Sequence, residues 1–200
     1  MKRLFALACM ALLCGCHGNG KETSDKATIY VATDMHYLDK SLYDNGEMFA
    51  NLLAINDGKL IERGEEILEA FGEIVLDEKP DVLLVPGDLT FNGEMVSLHR
   101  LKREFDRIQS QGVQVLVIPG NHDIAYAHAC SYLGDELKHV QNIGQQDFRQ
   151  EMEEYGLRQA LSVDEASFSY VYQVNETLWI MMLDANTEQA KGSLCDETFS

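Results

Sequence analysis

The chain has 200 residues, 46% hydrophobic and 24% charged, which suits one globular domain or a large part of one and excludes a collagen-like or low-complexity chain. Lys and Arg number 16 against 33 Asp and Glu, for a formal charge of -17. That balance argues against a nucleic-acid-binding module, whose phosphate contacts need Lys and Arg. It leaves room for a small phosphorylated substrate if a bound metal supplies the positive charge locally.

Lys2 and Arg3 precede an apolar run from Leu4 to Leu13. The run is too short to cross a bilayer as a helix, which takes about 20 residues. It suits the apolar core of a secretory signal. It ends in Leu13-Cys14-Gly15-Cys16, which resembles the bacterial lipobox. The resemblance implies cleavage after Gly15 and a lipid on Cys16. It also implies an exported protein anchored to a bacterial membrane, facing the periplasm or the cell exterior. Residues 1–15 are then a lipoprotein signal peptide and residues 16–27 a polar tether. A plain secretory signal with incidental cysteines is the alternative. Loss of Lys2 and Arg3 makes the mature domain more acidic, so acyl chains rather than surface charge would hold it to an anionic membrane. Cys130 and Cys195 remain, as two thiols or as one disulfide.

The elements then follow in order. Thr28 to Thr33 reads as a β-strand from its β-branched and aromatic residues. Asp34 to Gly58 reads as irregular, with turn signals at Asn45-Gly46 and Asp57-Gly58 and a short helix over Glu47 to Ala54. Leu60 to Glu78 has helical periodicity and stops at Pro80. Asp81 to Val85 is a continuous apolar run closed by Pro86-Gly87, as in a buried parallel strand. Met95 to Gln111 is an amphipathic helix with Gly112 beyond its end. Val113 to Ile118 is a third strand, again closed by Pro-Gly, and Gln145 to Tyr155 is a further helix. Ser167 to Val174 and Thr177 to Leu183 read as a hairpin turning at Asn175-Glu176. The early β-α-β-α-β order predicts an α/β fold with parallel strands, with residues 28–200 as the N-terminal part of one domain.

Ligands of open α/β sheets bind beyond the carboxyl ends of the strands. The three predicted strands lead into Asp34-Met35-His36, Gly87-Asp88-Leu89-Thr90 and Gly120-Asn121-His122-Asp123. In extended backbone, residues i and i+2 point to one side, so Asp34 and His36 can reach one cation together. A carboxylate with an imidazole suits Zn, Mn or Fe. Asp88 offers a second carboxylate and Asn121 an amide oxygen. His122 can face a substrate, with Asp123 fixing its tautomer. Gly87 and Gly120 let the chain turn sharply beside the site.

This ordered set resembles the calcineurin-like metallophosphoesterase family, over residues 28 to 184. The resemblance implies a four-layer α-β-β-α sandwich with a two-metal site (Mn, Fe or Zn) between its sheets. Carried over by position, Asp34 and His36 bind the first metal, Asp88 bridges both, and Asn121 binds the second. His122 then contacts the phosphoryl group or protonates the leaving group, supported by Asp123. The implied activity is hydrolysis of phosphomonoesters or phosphodiesters, with a small phosphorylated substrate and the membrane as the partners. The family supplies three further histidines from its second half, including a Gly-His-x-His motif. Here the last predicted strand leads into Asp184-Ala185-Asn186, and no histidine follows His139. The expected sandwich is therefore incomplete at its C-terminus. The alternative is a non-catalytic or truncated lipoprotein that keeps the scaffold without a full metal site.

Overall fold

A computed structural model describes residues 26–186 except 57, 125 and 126. The proposed signal peptide, Cys16, most of the tether and Cys195 lie outside the described residues. Its first layer is a parallel sheet of β1 (Ile29–Val31), β2 (Val82–Val85) and β3 (Gln114–Val117), in that order. β2 lies between two partners, and Val82, Leu83 and Val85 are buried, which accounts for its unbroken apolar sequence.

Helices α2 (Gly64–Glu78) and α3 (Met95–Ser110) carry the chain between these strands and pack against each other. α3 presents Leu98, Leu101, Phe105 and Ile108 to the core, all fully buried. Each such side chain contributes roughly 1.5–3 kcal/mol. α2 starts four residues later than its periodicity predicts, because Ile61–Arg63 forms a separate 3-10 turn. It ends at Lys79, whose left-handed backbone (φ 47°) caps the helix just before Pro80. Helix α4 (Gln145–Met152) lies against α3 and buries Phe148 and Met152.

The second sheet is antiparallel: β6 (Ser162–Val163), β7 (Tyr170–Gln173) and β8 (Trp179–Met182). The β7–β8 turn is wider than two residues, and the Asn175 side chain accepts from Thr177 N and Leu178 N within it. Tyr170 and Met182 face the first sheet and join its core. The Tyr170 hydroxyl donates to the Val117 and Tyr155 carbonyls, 3.2 Å from each. Trp179 and Met181 point the other way and are exposed. Helix, parallel sheet and antiparallel sheet thus form three layers among the described residues, an α/β architecture of the kind expected.

The short helix expected over Glu47 to Ala54 is present, but the hairpin it packs against was not predicted. Helix α1 (Glu47–Ile55) lies against a hairpin of β4 (Cys130–Leu133) and β5 (Glu136–His139). The Asp44 carboxylate accepts from Gly134 N at 3.0 Å, and Met48 N donates to Gly134 O at 2.9 Å. Phe49, Leu38, Leu42, Phe91 and Tyr132 form a small core of their own beneath it.

Candidate metal centre

The three motifs meet because the loops beyond the sheet continue its hydrogen bonding. Ala32 N donates to Leu84 O, Asp34 N to Gly87 O, His36 N to Asp88 O and Tyr37 N to Leu89 O, at 2.9–3.2 Å. This ladder runs past the end of β1 and lays the first motif beside the second. Its backbone is not extended, contrary to the expectation from i, i+2 spacing. Asp34, His36 and Asp88 have φ of 54°, 40° and 49°. Left-handed backbone at a non-glycine residue costs of order 1–3 kcal/mol and persists where surrounding structure enforces it. Three of the four sequence-predicted metal ligands are held this way.

The third motif is drawn in by close backbone approach. A Cβ on Gly120 would sit 2.1 Å from Asp88 Oδ1 and 2.2 Å from Asp88 N, so only glycine fits. His122 N donates to Asp88 Oδ1 at 3.0 Å.

The resulting cluster has one ligand atom each from His36, Asp88 and His122, all within 4.8 Å of one another. His36 Nε2 lies 3.8 Å from both Asp34 Oδ1 and Asp88 Oδ2. That is too long for a hydrogen bond. It suits two ligands on a shared ion, each about 2.1 Å from it. Burial holds the His36 imidazole below its ordinary pKa, with His122 adding to the effect and Asp88 opposing it. The ring is therefore neutral at pH 7, the form that ligates metals. Its Nδ1 is buried without a hydrogen-bond partner, a polar atom of the kind that an ordered water satisfies when Nε2 ligates an ion. The donor set of carboxylates and imidazoles fits a divalent first-row metal.

His122 stands edge-on to His36, with ring centroids 4.7 Å apart. Its Nδ1 is 2.8 Å from Phe91 O and 3.2 Å from Asn92 Oδ1. Both oxygens accept, so Nδ1 carries the proton of the neutral ring and Nε2 the lone pair. The tautomer is thus set by a backbone carbonyl and an amide. Asp123 sits elsewhere. Its fully buried carboxylate accepts from Leu89 N, Thr90 N, Thr90 Oγ1 and Gly120 N at 2.8–3.1 Å. It ties the loop after β2 to the loop after β3. Burial pushes its pKa up to about 6 against the pull of those donors, so at neutral pH it is an acceptor for all four.

Asn121 lines a small polar cleft with Asp34 and Asp88. Asn186 lines it too, and its Nδ2 donates to Pro119 O at 2.9 Å. Asn186, Asn92 and the Phe91 carbonyl are contributors that the sequence reading gave no role. The signal for Asn186 was its place directly after the last strand. His99 and His139 stand apart from the cluster: His99 lies 3.8 Å from Glu151, and His139 Nδ1 lies 3.5 Å from Cys130 Sγ.

Fold and site together define an α/β protein with a carboxylate–imidazole cluster at its strand ends that could hold a metal ion. A family model described as Calcineurin-like phosphoesterase matches residues 27–184, and the chain belongs to that family. The family binds divalent metals and acts on phosphoester bonds. No curated protein sequence matches the chain.

Proposed function

We propose that the protein hydrolyses phosphomonoesters or phosphodiesters at a site holding two metal ions. The observation that carries this reading is the convergence of His36, Asp88 and His122 within 4.8 Å, beside Asp34 and beyond the strand ends. Asp34 and His36 would hold the first ion, Asp88 would serve both, and Asn121 would serve the second. Such ions, when bound, would supply Lewis acidity toward the phosphoryl oxygens and would lower the pKa of a bound water. The chain's own residues orient and move protons. The Phe91 carbonyl keeps the proton on His122 Nδ1, which leaves Nε2 to exchange a proton with the phosphoryl or leaving-group oxygen. Asp123 fixes the two loops that present Asp88 and His122, so it is a positioning residue.

The test is hydrolysis of bis-p-nitrophenyl phosphate and p-nitrophenyl phosphate by the purified protein with Mn, Fe or Zn added. Metal-dependent turnover that falls about a hundredfold or more in Asp88→Ala and His122→Ala supports the reading. Turnover unchanged in both variants sinks it. Metal binding without any turnover favours a scaffold without a full catalytic site.

We further propose that Cys16 carries a lipid and anchors the exported protein to a bacterial membrane. Lys2-Arg3, the apolar run Leu4 to Leu13 and Gly15-Cys16 support this. No helix among the described residues is long and apolar enough to cross a membrane. Expressed in bacteria, the protein should take up labelled palmitate and partition into detergent. Equal labelling of Cys16→Ala would refute the anchor.

A further inference from the structure

Asn92 borders two places at once. Its Oδ1 lies 3.2 Å from His122 Nδ1, and it lines a cleft of about 370 Å³ between α1 and the β4–β5 hairpin. Met48, Leu52 and Ile55 of α1 and Tyr132 and Leu137 of the hairpin supply its apolar wall. Ile55 is 79% exposed and Leu137 54% exposed. Clustered exposed apolar side chains mark binding grooves more often than chance surface. Among the described residues no Lys, Arg, Asp or Glu lines the cleft; Asn51, His128 and Cys130 complete its lining.

The two walls are held at a fixed spacing. Met48 N donates to Gly134 O at 2.9 Å, and the Asp44 carboxylate accepts from Gly134 N at 3.0 Å. Tyr43 stacks on Phe49 with centroids 4.2 Å apart. A groove held open in this way binds without first ordering its walls.

We propose that this cleft is the leaving-group subsite of the phosphoesterase, and that it takes an uncharged aryl or alkyl alcohol esterified to a single phosphoryl group. The inference rests on the function proposed above and names its substrate class. In hydrolysis, water oxygen forms the new bond to phosphorus. The bond from phosphorus to the leaving oxygen breaks with its electron pair passing to that oxygen. The attacking water gives up a proton to solvent, His122 takes one up from solvent on the Nε2 lone pair and passes it to the leaving oxygen, and the neutral alcohol departs. The organic group on that oxygen lies beside His122, and Asn92 links the Nδ1 edge of that ring to the apolar cleft.

The test is calorimetric titration of the metal-loaded full chain with methylphosphonate, benzylphosphonate and 4-phenylbutylphosphonate. All three offer the same phosphonate and differ only in the apolar arm. We expect at least one aryl compound to bind about tenfold or more tighter than methylphosphonate. Leu52→Asp and Leu137→Asp should close that gap and leave methylphosphonate affinity within about twofold. Leu137 lies on a solvent-exposed strand, so its variant keeps the fold. Equal affinity for all three compounds in the wild type overturns the subsite and leaves the phosphoesterase reading standing. So does an aryl preference that survives both substitutions. Failure of methylphosphonate itself to bind overturns the phosphoesterase reading, and the subsite with it.

Discussion

Replacing Asp123 tests how the site is held together. Its carboxylate accepts four hydrogen bonds, from three backbone amides and one hydroxyl, in a fully buried position. In Asp123→Ala the amides of Leu89, Thr90 and Gly120 lose their acceptor. A buried unsatisfied donor costs about 1–3 kcal/mol, so the loss is roughly 3–9 kcal/mol before any water enters. That is a large fraction of the about 5–15 kcal/mol that stabilises a typical domain. Asp123→Asn is gentler. Its amide can turn Nδ2 toward Thr90, whose hydroxyl rotates to accept, which leaves the Thr90 N–H alone without a partner. The expected cost is then about 1–3 kcal/mol. Urea denaturation followed by far-ultraviolet circular dichroism measures both. The order wild type, Asn, Ala should hold, and the Asn variant should also bind metal more weakly because the Asp88 and His122 loops loosen. An Ala variant as stable as the wild type would refute the assignment of Asp123 as the tie between the loops.

Other substitutions probe other links. Gly120→Ala places a Cβ 2.1 Å from Asp88 Oδ1. It should cost about 1–3 kcal/mol and weaken metal binding about tenfold or more, read by denaturation and calorimetry; unchanged affinity would contradict the close approach. Glu94 is buried, and its Oε1 has no hydrogen-bond partner. Burial pushes its pKa up to about 7 from the ordinary 4.5. Because the folded state binds this proton more tightly than the unfolded state, the Glu94 contribution is fully present below about pH 4.5 and is lost as pH rises through about 7. The loss is at most roughly 3 kcal/mol. Denaturation midpoints taken from pH 5 to 8 should fall less steeply in Glu94→Gln; parallel pH profiles would count against the shift.

Much of the fold was legible because its strands are short apolar runs closed by Pro86-Gly87 and Pro119-Gly120, with periodic helices between them. The three motifs were legible for the same reason, each lying just past such a run. The β4–β5 hairpin was not. All four β5 residues are exposed, so no alternation marks the strand. Only Gly134-Asp135, a two-residue turn signal, pointed to it. The pairing of α1 with that hairpin joins Asp44 to Gly134 across 90 positions, and no local pattern encodes that contact. At the site, side-chain identity gave the ligands but misjudged the support. Asp123 looked like the partner of the adjacent His122, yet the Phe91 backbone carbonyl takes that place, and a carbonyl has no signature in the sequence. The left-handed backbone of Asp34, His36 and Asp88 was equally hidden, since it is imposed by the loop-to-loop ladder and not by residue type.

The central claim is that Asp34, His36, Asp88 and their neighbours hold metal. The most direct measurement is a titration of the purified, metal-free protein with cobalt(II), followed by its visible absorption, beside Asp88→Ala and His36→Ala. The account predicts saturable binding that falls about tenfold or more in each variant. No saturable binding by the folded wild type, or binding that both substitutions leave intact, would contradict it.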